Sequence, residues 1–147
     1  MTMTTRSMSR PIEATMTDPS LGLPTISMAV PMPGFPAHKE FVLVRLNDDG
    51  LLFALTSIDD PELRFLVAPP EPFFPEYAPE IDESVFAALN THDPDRALLL
   101  TIITVSEEET TANLLAPIVV DRDSMRAMQT ILTGSGYPVR AIMHRGF

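Results

Sequence analysis

No cysteine occurs in this chain of 147 residues, which excludes a disulfide framework and thiolate chemistry. The three histidines, His38, His92 and His144, are scattered, so none forms a pair at metal-ligand spacing. Bases are scarce: ten Lys and Arg stand against twenty Asp and Glu, a net charge of −10. Direct nucleic-acid binding rests on Lys and Arg neutralising phosphates, and this balance argues against it. No window approaches the length of a membrane helix. Arg6 and Arg10 are followed by no apolar run, so the N-terminus does not read as a secretory signal. The expected location is the cytoplasm, with no membrane partner.

Motifs for chemistry are missing as well. Gly134-Ser135-Gly136 lacks the lysine and the strand-to-helix setting of a phosphate loop. A nucleophile elbow is absent. Carboxylates are plentiful, but a general acid needs one in an apolar pocket. Asp59, Asp60 and Glu62 sit in a polar turn and Glu107, Glu108 and Glu109 at a hairpin tip; no Asp or Glu is evident on a core face. The chain therefore reads as no enzyme, with no cofactor and no metal.

What is present is two apolar runs, residues 97–105 (ALLLTIITV) and 113–121 (NLLAPIVVD), joined by a short acidic link. Neither has a helical period and each has the length of a strand. The link is too short for a parallel crossover, so the two predict an antiparallel pair. In 114–121, alternation puts Leu114, Ala116, Ile118 and Val120 on one face and Leu115, Pro117, Val119 and Asp121 on the other. A strand apolar on both faces is covered on both. Pro117 has no N–H to donate, so it belongs at a bulge, a bend or an unpaired side. Together these features predict a closed or strongly curved sheet.

The rest of the chain fits that frame. Residues 1–24 are rich in Met, Thr, Ser and Pro and offer no periodic apolar face, so a disordered tail is expected there. Residues 25–147 are expected to form a single domain. Strands are predicted over 25–30, 39–46, 51–57 and 64–68, with Asn47-Asp48-Asp49-Gly50 as a hairpin turn. Phe35, among three prolines, reads as an anchor for its loop. Pro61 suits the first position of a single helical turn. Residues 69–79 carry five prolines and three aromatics and read as an extended strap, with Phe73, Phe74 and Tyr77 docked inward or forming a contact patch. Asp82 caps a short helix whose Val85, Phe86 and Leu89 share a face. Residues 125–132 are a last strand or a short helix, and 137–142 an extended piece. The fold class is mainly β: a small closed or strongly curved antiparallel β-barrel with one short helix.

Charge is unevenly spread. Between Asn47 and Asp95 twelve acids face one base, Arg64, whereas from Arg122 onward four arginines face only Asp123. A field of this kind steers a basic partner.

The order of motifs resembles the bacterial flagellar assembly factor FliW family from about residue 25 to residue 140. The resemblance rests on Pro33-Gly34-Phe35-Pro36, on FALTSIDD at 53–60, on Phe65-Leu66-Val67 and on Phe73-Phe74-Pro75-Glu76-Tyr77. Above all it rests on TTANLLAPIVV at 110–120, followed by Gln129, Tyr137 and Arg140. Asp121 stands where the family commonly has Asn. The resemblance implies a non-catalytic binding protein that is a monomer when free. It would bind the RNA-binding regulator CsrA, relieving repression of flagellin translation, and would bind flagellin, which displaces CsrA. The partner-binding residues it suggests are Asp59, Asp60, Glu62, Phe73, Phe74, Tyr77, Asn113 and Leu114. A flagellin-specific export chaperone without CsrA binding is the other reading.

Overall fold

The computed structural model describes residues 24–48 and 50–143. In chain order its elements are β1 (Thr25–Met28), β2 (Glu40–Arg45), β3 (Phe53–Ser57), β4 (Arg64–Ala68), α1 (Glu83–Leu89), a 3-10 turn (Pro94–Arg96), β5 (Ala97–Val105), β6 (Thr110–Ala112), β7 (Ile118–Asp121), β8 (Arg126–Gln129) and β9 (Ala141–Ile142). The stretch read as a tail lies outside the described residues except for Pro24, whose carbonyl accepts the Leu43 N–H at 3.0 Å.

Strands β1 to β4 pair in succession as an antiparallel meander. From β4 the ladder passes to β5, β7 and β8, and β8 pairs back onto β1, so a ring of seven strands closes on itself. Strand β6 branches from β5, and β9 pairs onto β6. The closed, mainly-β sheet is the one the alternation predicts, with one departure: β1 and β8 run parallel, Ser27 facing Arg126. Residues 29–125 lie between them, far more than a parallel connection requires.

Alternation sends every second side chain into the ring. Ile26, Phe41, Leu43, Leu55, Val67, Leu100, Ile118 and Val120 are buried there, with Leu98, Ile102 and Met125 packed against them. Burial of each large aliphatic or aromatic side chain contributes about 1.5–3 kcal/mol. By contrast the exposed Arg96–Asp123 ion pair, at 3.3 Å, adds under about 1 kcal/mol. The interior filling holds the ring.

Two outer sectors are also covered. Helix α1 lays Val85 and Leu89 on Val119, Leu99 and Met128. Its start is capped by Asp82, whose Oδ1 accepts the Ser84 N–H at 2.8 Å. That bond holds the Asp82 carboxyl below its ordinary range. Its end is closed by Asn90 in the left-handed region at φ 57° and by Arg126, whose Nη2 donates to the Ala88 carbonyl at 3.2 Å. The proline-rich strap covers the second sector: Phe73, Phe74 and Tyr77 pack with Ala68, Ile103, Ala112, Leu114 and Met143. It is not extended. Phe73 and Phe74 both donate to the Pro70 carbonyl, and Tyr77 donates to Phe74, so prolines at the corners turn it back on itself.

The second apolar run is divided. Along β5, Ile103 faces Ala112 and Leu100 faces Ile118, so three steps on β5 match six on its neighbour. The excess is looped out at residues 113–117. Asn113 organises it, its Oδ1 accepting the N–H groups of Leu115 at 3.1 Å and Ala116 at 3.0 Å. Gln129 Nε2 donates to the Ala116 carbonyl at 3.0 Å. Pro117 sits in this bulge, where its missing N–H costs no ladder bond. Leu115 is only half-buried, because the bulge turns its side chain away from the alternation a continuous strand would give it. Pro61 likewise sits in a turn, not a helical one, closed by the Leu63 N–H on the Asp60 carbonyl at 2.9 Å. Asp121, expected on no core face, is 4% exposed. Its carboxylate accepts the Asp123 N–H and the Ser124 hydroxyl at 3.0 and 3.1 Å, which offsets the desolvation.

Removing the Asn113 amide strips two part-buried N–H groups of their acceptor. Asn113→Ala should therefore destabilise the fold by about 1–3 kcal/mol in urea unfolding. A midpoint equal to wild type would mean the bulge does not depend on this side chain.

Candidate functional site

The eight residues suggested as partner contacts fall into two groups. Asp59, Asp60 and Glu62 lie on the β3–β4 turn and are exposed. The turn is rigidly held. Ser57 Oγ accepts the Asp60 N–H at 3.2 Å and contacts His38 Nδ1 at 3.0 Å, and Asp60 Oδ1 accepts the Glu62 N–H at 3.1 Å. Phe73, Phe74, Tyr77 and Leu114 share one cluster, with Asn113 beside Leu114 in the bulge. Phe73, Phe74 and Tyr77 are half-buried and Leu114 is buried. The strap leaves from the opposite end of β4, so the two groups start about 15 Å apart, the length of that strand.

The ladder joins a second group to the acidic turn. Leu66 faces Ile103 across β4 and β5, so the antiparallel register brings the start of β4 beside the end of β5. The turn before β4 and the tip after β5 therefore occupy the same end of the ring. That tip carries Glu107, Glu108 and Glu109, all exposed, and is closed by Ser106, whose hydroxyl donates to the Glu109 carbonyl at 2.8 Å. Six carboxylates on two turns, more than forty residues apart in sequence, thus share one rim, with Arg64 between them. Two exposed aliphatic residues stand on the same rim, Ile58 at 49% and Val105 at 59%. Arg122 and Arg126 lie toward the other end, where Asp48, Asp93, Asp95 and Asp123 are found too. Sequence reading treats the glutamate tip as ordinary surface. The β4–β5 register places it at the same end of the ring as Asp59.

A family model described as FliW protein matches residues 9–143. The chain belongs to the FliW family. The match begins at residue 9, so the family pattern takes in part of the stretch read as a tail. A flagellar assembly factor FliW of Bacillus licheniformis is 40% identical over 108 residues, covering 72% of this chain and 76% of the relative. That of Bacillus subtilis is 39% identical over 111 residues, covering 74% and 78%. A crystal structure of the flagellar assembly factor FliW superposes with a TM-score of 0.76 at 30% identity, covering 83% of this chain and 86% of the other. The ring with its strap and helix is thus the FliW fold. No helix among the described residues is long and apolar enough to cross a membrane.

Within the second group, Tyr77 ties the strap to the bulge. Its hydroxyl donates to the Leu114 carbonyl at 2.7 Å and its ring meets Tyr137 edge-on at 4.8 Å. Burial, with a smaller contribution from Tyr137, pushes the phenol up to about 12 from 10.0. Between those values the folded protein keeps a proton that the unfolded chain releases. The stabilisation is full below pH 10.0 and lost as pH rises through about 12. Tyr77→Phe should cost about 0.5–1.5 kcal/mol at neutral pH through the lost hydrogen bond. The same substitution should flatten the alkaline fall in stability. Urea midpoints across that range test this, and an unchanged alkaline profile would place the phenol in water.

Proposed function

We propose that this protein is a non-catalytic regulator acting in the cytoplasm, which binds a CsrA-like RNA-binding protein and flagellin in turn. Bound to this protein, the regulator no longer represses translation of flagellin mRNA. Newly made flagellin displaces it, so the unassembled flagellin level sets flagellin synthesis. The observation that carries this reading is the shared acidic rim. An RNA-binding protein presents Lys and Arg to phosphates, and a rim of six carboxylates offers such a surface complementary charge. Family membership supports the same reading, since the relatives are named flagellar assembly factors.

Calorimetric titration with purified CsrA, alone and with flagellin present, tests it. Binding of CsrA that flagellin suppresses is the expected result. Binding of flagellin alone would instead favour a flagellin-specific export chaperone.

The rim charges should act chiefly through steering. Replacing Asp59, Asp60 and Glu62 with Asn, Asn and Gln keeps the turn, because Asn retains the oxygen that accepts the Glu62 N–H. The triple variant should associate with CsrA more slowly and with a flatter salt dependence. Its dissociation rate should change less, and the total loss should be roughly 1–3 kcal/mol. Equal stopped-flow rates at low salt would show that these carboxylates face away from the partner.

A further inference from the structure

The outer wall of the ring is covered in two sectors, by α1 over β5, β7 and β8 and by the strap over β4, β5 and β6. The sector formed by β2 and β3 is different. Alternation places Val42, Val44 and Leu46 on its outside along β2, and Ala54, Thr56 and Ile58 along β3. The register sets Val42 against Thr56 and Val44 against Ala54. Together they make a largely apolar strip two strands wide, in which Val42, Val44 and Thr56 are half-buried and Ala54 is buried. None of the three hydrophobic clusters of the described residues contains any of them. Leu46 and Ile58, at opposite ends, are 45% and 49% exposed. An isolated exposed aliphatic residue needs no explanation, but a contiguous apolar sheet face does.

The charge around the strip indicates what kind of cover fits. At the Ile58 end stand Glu40, Asp59, Asp60 and Glu62, and at the Leu46 end Asp48. Glu40 lies on the wall itself, bonded to the Ser27 hydroxyl and opposite Ser27 in the ladder. Arg64, facing Thr56, is the cation on this wall; Lys39 and Arg45 fall on the opposite alternation. Beyond Arg64 the same row reaches Val105 and the glutamates of the β5–β6 tip. The strip is therefore bordered by carboxylates at both ends and most heavily at the rim.

We propose that the outer wall of β2 and β3, from Leu46 to Ile58, is the docking surface for a basic partner. That partner lays aliphatic side chains along Val42, Val44 and Ile58 and sets Lys or Arg side chains against the rim carboxylates. The apolar strip supplies the desolvated centre of the contact and the acids its rim, the arrangement usual at protein interfaces. This assignment rests on the reading of the protein as a binder of a basic RNA-binding regulator.

Leu46→Lys and Ile58→Lys test it, each placing a cation on the strip at an exposed position where folding does not depend on the side chain. Val139→Lys is the control: Val139 is also an exposed aliphatic residue but lies outside this wall. With purified CsrA as the probe and thermal melts confirming each fold, both strip variants should weaken binding by about tenfold or more, through desolvation and like-charge repulsion. The control should stay within about twofold of wild type. Wild-type binding with unchanged strip variants would overturn the docking wall and leave the proposed function standing. Loss of flagellin binding in the strip variants, with CsrA binding intact, would overturn the basic occupant. Wild type binding neither protein would remove the functional reading and this proposal together.

Discussion

Strand β5 is the element on which the architecture depends. It is nine residues long, and different halves of it serve different neighbours. Ala97 to Leu100 pair with β7, Thr101 to Ile103 pair with β4 on the other side, and Ile103 to Val105 pair with β6. The β4–β5 contact joins the meander to the rest of the ring, giving β4 its second partner. A strand used this way must be apolar on both faces. Leu98, Leu100 and Ile102 fill the interior while Leu99 and Ile103 meet the helix and the strap outside. The bulge at residues 113–117 follows from the same demand. One neighbouring run must serve β5 twice, as β6 and as β7, and the looped excess lets each piece find its own register.

Much of this was legible from local signals. The two apolar runs, the acidic hairpin link, the strand limits of β4, the Asp82 cap and the exclusion of Pro117 from the ladder each depend on a few neighbouring residues. The division of the second run was not. Asn113 reads as a strand residue until its amide is seen to hold the N–H groups of Leu115 and Ala116, a side-chain bond that competes with the ladder. The parallel pairing of β1 with β8 joins strands far apart in the sequence, and no short-range pattern encodes it. Asp121 ends its strand as the sequence suggests, and its burial becomes explicable only with the Asp123 and Ser124 donors in place. Proline forbids helix and ladder and so predicts an extended strap; that it folds into successive turns depends on where the aromatics can be buried.

The candidate contacts show the same division. Composition alone predicts an acidic protein, but charge density in space is a property of the ladder. Asp59 and Glu108 share one end of the ring because β4 and β5 are antiparallel and their register brings both turns there. A parallel pair, or a register shifted by several residues, would have separated them with no change in composition. The aromatic strap moved in the opposite direction. In sequence Phe73, Phe74 and Tyr77 read as docked inward or as a contact patch, and the fold spends much of their surface on Ala68, Ile103 and Leu114. Any partner that engages them meets ring edges already supported from beneath.

The interior of the ring is filled by buried side chains, so the activity of this fold has to be sought on its outside. There, coverage is the deciding constraint. A closed sheet removes its strand edges but not the apolar residues of its outer face, and each sector must be sheathed or left polar. Helix α1 covers one sector and the proline-rich strap another. Over β2 and β3 the chain supplies neither, yet it retains valines, an exposed leucine and an exposed isoleucine. Stability alone would favour polar side chains in place of Leu46 and Ile58, since exposed aliphatic side chains add little to the folded state and invite association. Aliphatic side chains bordered by carboxylates are what a transient partner requires. The apolar strip holds it, and the acidic rim discriminates against partners of the wrong charge.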